Sequence, residues 1–311
     1  MAAMKFGGQV AVITGAGGGL GRAYALELAQ RGAAVVVNDW GGDKRGAAPA
    51  ADSRAADVVV DEIRALGGRA APDYESVLDG ERIVRTALDE FGRIDILINN
   101  AGIIRDVTFG KMTHDDWKSV LKVHLQGAFE CTKAAWPHMQ RQQYGRVLFT
   151  SSNAGVYGNF GQCNYASAKS ALHGFSHSLA LEGRKHGIQA NVLVPSASTR
   201  ISQSLLSEEQ RKALKPEFIT PLVVFLCSRQ CAESGGVFEA GGAHFGQIKT
   251  FRTRGLVIAE PTPEKVRDGW TAITDQENPL SFGSFFEASA AAIKSGLASL
   301  GVVDKPEKPA K

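Results

Sequence analysis

The sequence predicts an α/β protein: a doubly wound parallel sheet of the Rossmann type in a single domain, with a C-terminal helical extension. Three observations predict it. Short, uniformly apolar, β-branched runs recur along the chain, a helical stretch separates each from the next, and a glycine-rich turn follows the first run directly. Strands that are apolar at every residue are covered on both faces, as a parallel sheet requires. Strand, helix, strand in repetition implies right-handed crossovers, and so helices on both faces.

Val10-Ala11-Val12-Ile13 is the first buried strand, and Leu20, Tyr24 and Leu28 mark one face of the helix after it. Ala34 to Val37 is the second strand; Ile94 to Asn99, Val147 to Ser151 and Gln189 to Val194 are later ones. A loop rich in Gly, Ala and Pro, Gly41 to Ala56, precedes the second crossover helix. The strand pattern stops near residue 250, which divides the chain into a domain over 1–250 and an extension over 251–311. In the extension, Thr262 caps a helix with Pro263 at its first position, and a second helix runs from Ser281 to Leu300. The tail from Val302 has the composition of a disordered segment. There is no internal repeat.

Bulk properties exclude several functions. The chain has 311 residues, 44% hydrophobic and 22% charged, which suits one large core with an appendage. A net charge of +3, without a basic block, argues against nucleic acid and against a membrane surface. No run approaches the roughly 18 apolar residues of a membrane span. Cys131, Cys163, Cys227 and Cys231 form no C-x-x-C pair and no zinc spacing, so no metal is expected and the thiols are read as reduced. The first nine residues carry no apolar stretch and the last residues do not match the peroxisomal tripeptide, so no leader and a cytoplasmic protein are expected.

Thr14-Gly15-Ala16-Gly17-Gly18-Gly19-Leu20-Gly21 lies between the first strand and its helix. Gly15 permits a tight turn, Gly19 close backbone approach, and Gly21 close packing of helix on sheet. The helix N-terminus, at Leu20, then offers free N–H groups and a positive dipole end to a pyrophosphate. Asp39 ends the second strand, eighteen residues after Gly21. A carboxylate there accepts from both adenosine ribose hydroxyls and repels a 2′-phosphate. Lys44 and Arg45 follow it in the glycine-rich loop, but Asp39 decides for NAD over NADP.

Tyr165 and Lys169 are four residues apart in a helix-compatible stretch, which puts both on one face. A free tyrosine has a pKa of about 10, too high for a base at neutral pH. An ammonium at ~4 Å contributes roughly 4 kcal/mol at an effective dielectric of about 20, enough to lower it by about three pH units. Ser152, thirteen residues before Tyr165 at the end of a strand, is placed to hydrogen-bond a substrate oxygen. Together these residues point to interconversion of a hydroxyl and a carbonyl.

T-G-x-x-x-G-x-G, Asn99-Asn100-Ala101-Gly102 after the fourth strand and S-x12-Y-x-x-x-K resemble the signature of the short-chain dehydrogenase/reductase family. The likeness is closer still in Asn38-Asp39-Trp40-Gly41-Gly42-Asp43, Tyr157 to Gln162 and Leu181 to Lys185, and continues through Phe238-Glu239 to Thr262-Pro263-Glu264. There the chain resembles the (3R)-hydroxyacyl-CoA dehydrogenase units of type 2 peroxisomal multifunctional enzymes, without their hydratase and sterol-carrier units. The resemblance implies NAD-dependent oxidation of a (3R)-3-hydroxyacyl-CoA to the 3-oxoacyl-CoA in β-oxidation. It makes Tyr165 the acid/base, Ser152 the orienting group, and Lys169 the residue that holds the nicotinamide ribose while tuning Tyr165. Asn100, Ala101 and Gly102 would lie along the cofactor.

Two positions depart from the family. His124 stands where members usually carry Asn in the long helix, and is expected to anchor the same proton-relay water. Pro195-Ser196 replaces the usual Pro-Gly, leaving Ser198 and Thr199 to contact the nicotinamide amide, with Thr199 taken as the cofactor contact. His173 and His177 lack a third ligand and read as packing or interface residues, and Cys163 has no activating partner. Trp117, Val123, Phe129 and Trp136 read as core or interface, and the family's helix pairing implies a homodimer or homotetramer. Arg105, Lys111 and Arg200 are candidates for CoA phosphates. The alternatives are a 17β-hydroxysteroid dehydrogenase, and a catalytically silent NAD-sensing protein, against which Ser152, Tyr165 and Lys169 argue.

Overall fold

The computed structural model describes residues 3–47, 54–198, 207–283 and 285–299. Backbone contacts divide the chain into two units, Met1–Ile248 and Lys249–Lys311. In the first unit, β1 (Val10–Thr14), β2 (Ala34–Asn38), β4 (Ile96–Asn99), β5 (Gly145–Thr150) and β6 (Ile188–Ser196) correspond to the five apolar runs. Three further strands complete the sheet: β3 (Arg69–Asp73), β7 (Val237–Gly241) and β8 (His244–Ile248). The order is β3-β2-β1-β4-β5-β6-β7-β8, with every pair parallel except β7 with β8.

Alternate residues of each strand feed different cores. Ala11 and Ile13 of β1 pack with α1 (Gly19–Gln30), α2 (Ala55–Ala65) and, beyond the sheet centre, α9 (Thr220–Cys227). Val10 and Val12 pack on the other face with α3 (Gly80–Phe91), α5 (Gly127–Gln142) and α7 (Cys163–Gly183). Strands apolar at every position are explained by these two cores.

The long helix expected to carry His124 is not uniform. It begins as α4 (His114–Leu121), widens into a π-turn over Lys122–Gln126, and continues as α5. A π-turn inserts a residue into the helical ladder and re-aims a side chain; here that turn holds His124. Between β5 and α7 lies α6 (Asn153–Tyr157), and α8 (Glu208–Ala213) follows β6. The order in which strands are laid down reverses between β1 and β4, so the carboxyl ends of these two parallel strands open the crevice where ligands of such sheets bind.

In the second unit, Thr262 caps α10 (Pro263–Asp268) by accepting from the Lys265 amide, followed by α11 (Trp270–Ile273) and α12 (Phe285–Ser299). An antiparallel bridge joins Arg252 to Leu280, and the Arg252 guanidinium stacks 4.4 Å over the Phe282 ring. The tail expected to be disordered lies outside the described residues.

Candidate active site

The glycine turn after β1 is dictated by crowding. Gly15 has φ 64°, and a Cβ there would stand 2.7 Å from the Ala101 Cα. A Cβ on Gly21 would meet the Gly15 carbonyl at 2.4 Å. No side chain caps α1, so its first N–H groups are left for an anion. Asn100 fixes this turn to the end of β4: its Nδ2 donates to the carbonyls of Thr14 (3.0 Å) and Gly15 (3.1 Å). The Thr14 hydroxyl in turn accepts from the amides of Asn100 and Ala101.

Asp39 sits at the far end of the same crevice. Its Oδ2 accepts from the Gly17 amide at 2.9 Å and its Oδ1 from the Gly41 amide at 2.8 Å. Sequence reasoning passed over Gly17. A Cβ there would fall 2.7 Å from Asp39 Oδ2, so only glycine lets this amide reach the carboxylate. The legible signal was the central Gly17 of a three-glycine run.

At the other end, Ser152 is the extended cap of α6, and its hydroxyl hydrogen-bonds Tyr165. Lys169 is 3% exposed; its Nζ donates to the Thr150 carbonyl at 2.5 Å and lies 5.6 Å from the centroid of the Tyr165 ring. His124 packs edge-on against Tyr165, with ring centroids 5.1 Å apart. Its Nε2 contacts the Ile103 carbonyl at 2.7 Å and amide at 3.1 Å, while its buried Nδ1 has no partner.

The electrostatics correct one expectation. Burial holds Tyr165 above the usual tyrosine range, and the Ser152 hydrogen bond only partly offsets it. Lys169 does not act as a fully charged neighbour, because burial pushes its own pKa down to about 7. The expected lowering of Tyr165 assumed an intact ammonium, and at this depth the cation is itself destabilised. His124 is held well below the ordinary histidine range, first by burial and then by Lys169.

Of the described residues expected to hold cofactor, all but Gly21 line one cavity of about 860 Å³, which also takes in Ser152, His124, Tyr165 and Lys169. Gly21 lies behind it as packing. Thr199 and Arg200 lie outside the described residues, while Ser198 donates its amide to the Leu214 carbonyl at 2.6 Å. His173 has a more definite contact than packing: its Nε2 lies 2.8 Å from the Ser151 hydroxyl, which donates to the Lys169 carbonyl. Cys163 is a free, exposed thiol. Among the described residues there is no cluster able to hold a metal, and no helix is long and apolar enough to cross a membrane.

The residues present fit a dinucleotide. A glycine turn in which a Cβ at Gly15, Gly17 or Gly21 would clash, an uncapped helix start and a fixed carboxylate line one end; a serine, a tyrosine and a lysine line the other. The buried Thr150 Oγ1 and His124 Nδ1 lack protein partners.

A family model described as short chain dehydrogenase matches residues 9–210. The mouse peroxisomal multifunctional enzyme type 2 is 50% identical over 279 residues, covering 88% of this chain and 38% of that protein. A short-chain type dehydrogenase/reductase of Mycobacterium tuberculosis is 48% identical over 271 residues, 86% of this chain and 94% of that one. The solved structure of full-length peroxisomal multifunctional enzyme type 2 from Drosophila melanogaster superposes with a TM-score of 0.80 at 40% identity, covering 94% of this chain and 50% of that one. The chain thus spans half or less of these two multifunctional relatives, and nearly all of the mycobacterial one. With the family model covering more than half of the chain and the sheet order matching, the chain belongs to the short-chain dehydrogenase family of oxidoreductases.

Proposed function

We propose that this chain oxidises a (3R)-3-hydroxyacyl-CoA to the 3-oxoacyl-CoA, using NAD. The observation that carries the reading is one cavity lined by Asp39 at one end and by Ser152, Tyr165 and Lys169 at the other. The 50% identity to a peroxisomal multifunctional enzyme supports the substrate class.

Bound NAD supplies the acceptor for the hydride that leaves the carbinol carbon. Ser152 donates to the substrate oxygen and orients it. Tyr165 takes the hydroxyl proton. Lys169, with a pKa near 7, gains and loses a proton close to neutrality; in its charged form it favours the Tyr165 phenolate. His124 fixes the plane of the Tyr165 ring, and its unpartnered Nδ1 is the group assigned to a relay water. Asp39, held by two amides, accepts from the adenosine ribose and excludes a 2′-phosphate.

A homodimer fits a shallow groove of about 510 Å³ on α6 and α7, lined by small residues that include Ala154, Ser167, Ala171 and Gly174. The peroxisomal names of the relatives pull against the cytoplasmic expectation, and fractionation of cells making the full chain decides between the two compartments.

The test compares NADH formation from a (3R)-3-hydroxyacyl-CoA, its (3S) isomer and a 17β-hydroxysteroid. Turnover of the (3R) thioester alone is expected; turnover of the steroid alone would overturn the substrate assignment.

A further inference from the structure

Arg105 takes no part in the acid/base chemistry, yet it is tied on three sides. Its Nε donates to the Arg45 carbonyl at 2.9 Å, and its Nη1 pairs with the Asp115 carboxylate in the first turn of α4. Asp116 lies 4.0 Å from the same Nη1. The Arg105 carbonyl accepts from Asn164 Nδ2 at 3.2 Å, and that amide also donates to the Asp116 carbonyl at 3.1 Å. Asn164 is fully buried, and its Oδ1 accepts from the backbone amide of Tyr165 at 2.8 Å.

The neighbouring backbone joins the same two segments. The Ile104 amide donates to the Lys44 carbonyl at 2.9 Å. Gly46, with φ 82°, sits on Ile103: a Cβ would come within 2.9 Å of Ile103 Cδ1. Asp43 shapes this stretch, its Oδ1 accepting from the amides of Arg45 and Ala47 at 2.8 Å. The loop after β2 and the segment after β4 therefore meet at two carbonyls, and both line the cavity.

Magnitudes separate the two contacts of the guanidinium. Asp115 is 78% exposed, so that ion pair contributes little in water. The Arg105 side chain is only 19% exposed, and because it carries the guanidinium charge its bond to the carbonyl of the exposed Arg45 is charge-assisted. These donors are committed, and a CoA phosphate would have to displace Asp115 to use them. Arg105 is better suited to holding the loop than to holding substrate.

We propose that Arg105 is a positioning residue that clasps Asp43–Gly46 along the cofactor cavity and thereby sets how fast the dinucleotide leaves. This rests on the reading of the cavity as an NAD site. A dinucleotide that reaches from Asp39 to Tyr165 passes the clasp, and its exchange requires the two carbonyl bonds to part. Through its own backbone carbonyl and Asn164, the same residue links the loop to the helix turn that carries Tyr165.

The test is stopped-flow release of NADH, followed by its fluorescence, from the full chain and its variants. Arg105→Met is expected to release NADH roughly tenfold faster, the factor carried by one charge-assisted hydrogen bond. Asp115→Asn, on the exposed side of the clasp, is expected to accelerate release by roughly twofold, and the double variant to match Arg105→Met. NADH that binds but leaves Arg105→Met at the wild-type rate overturns the clasp. A wild-type chain that binds no NADH overturns the reading of the cavity itself. Should Arg105→Met fail to fold, Arg105→Lys carries the test: it keeps the charge but not the forked contact, and a wild-type release rate for it also overturns the clasp.

Discussion

Replacing Lys169 by methionine keeps the length and the apolar stem of the side chain and removes the buried cation. Burial pushes this lysine from 10.5 to about 7, a change that corresponds to about 5 kcal/mol at about 1.4 kcal/mol per pH unit. The sign follows from proton counting. Between about pH 7 and 10.5 the unfolded chain holds a proton that the folded chain has released, so folding stability rises with pH across that window. The burden is complete below about pH 7 and absent above 10.5. Methionine also loses the hydrogen bond to the Thr150 carbonyl, worth about 1 kcal/mol. Lys169→Met is therefore expected to be more stable than the parent by up to about 4 kcal/mol near pH 6. That advantage shrinks by about 1.4 kcal/mol per pH unit through the window, as the variant loses turnover. Burial holds Tyr165 above the usual tyrosine range and His124 well below the usual histidine range, which leaves Lys169 as the group of this cluster shifted towards neutrality. Urea unfolding of both proteins from about pH 6 to about pH 10 measures the difference. A variant less stable by the same amount at every pH would refute the reasoning.

Two further substitutions probe the other end of the cavity. Asp39→Ala removes a carboxylate fixed by two amides and is expected to weaken NAD binding about 10- to 100-fold while improving relative affinity for NADP; calorimetry with both cofactors checks it. Unchanged selectivity would remove Asp39 from the cofactor site. Gly17→Ala places a methyl group 2.7 Å from Asp39 Oδ2, so it should mimic Asp39→Ala in cofactor titrations although Asp39 itself is intact.

The parts of this molecule legible in the sequence are those where one physical demand fixes the residue type. β1, β2, β4, β5 and β6 are buried on both faces and carry continuous apolar runs. β3 escaped because it is an edge strand, where Pro72 and the charged ends Arg69 and Asp73 are tolerated. The β7–β8 hairpin turns through Gly242 (φ 55°) and Ala243 (φ 63°), and a left-handed alanine is not a turn signal. β8 itself is exposed at His244, Phe245 and Gln247 and carries no continuous apolar run.

The site divides in the same way. Gly15, Asp39, Ser152, Tyr165 and Lys169 were readable because spacing and residue type are both constrained by chemistry. The pKa of Lys169 was not, since depth of burial cannot be read from a four-residue spacing. Nor was the π-turn that presents His124, which has no sequence signature. The partners of Arg105 and His173 come from segments distant in sequence, Arg45 and Ser151 respectively, and only the fold brings them together.

The central claim is that Tyr165 exchanges the proton of the reacting hydroxyl within this cavity. Its most direct test is NADH formation from a (3R)-3-hydroxyacyl-CoA by the parent chain and by Tyr165→Phe, with NAD affinity measured on both. A loss of about 10²- to 10⁴-fold in kcat with nearly unchanged NAD binding is predicted. A phenylalanine variant that turns over substrate at the parent rate would contradict it.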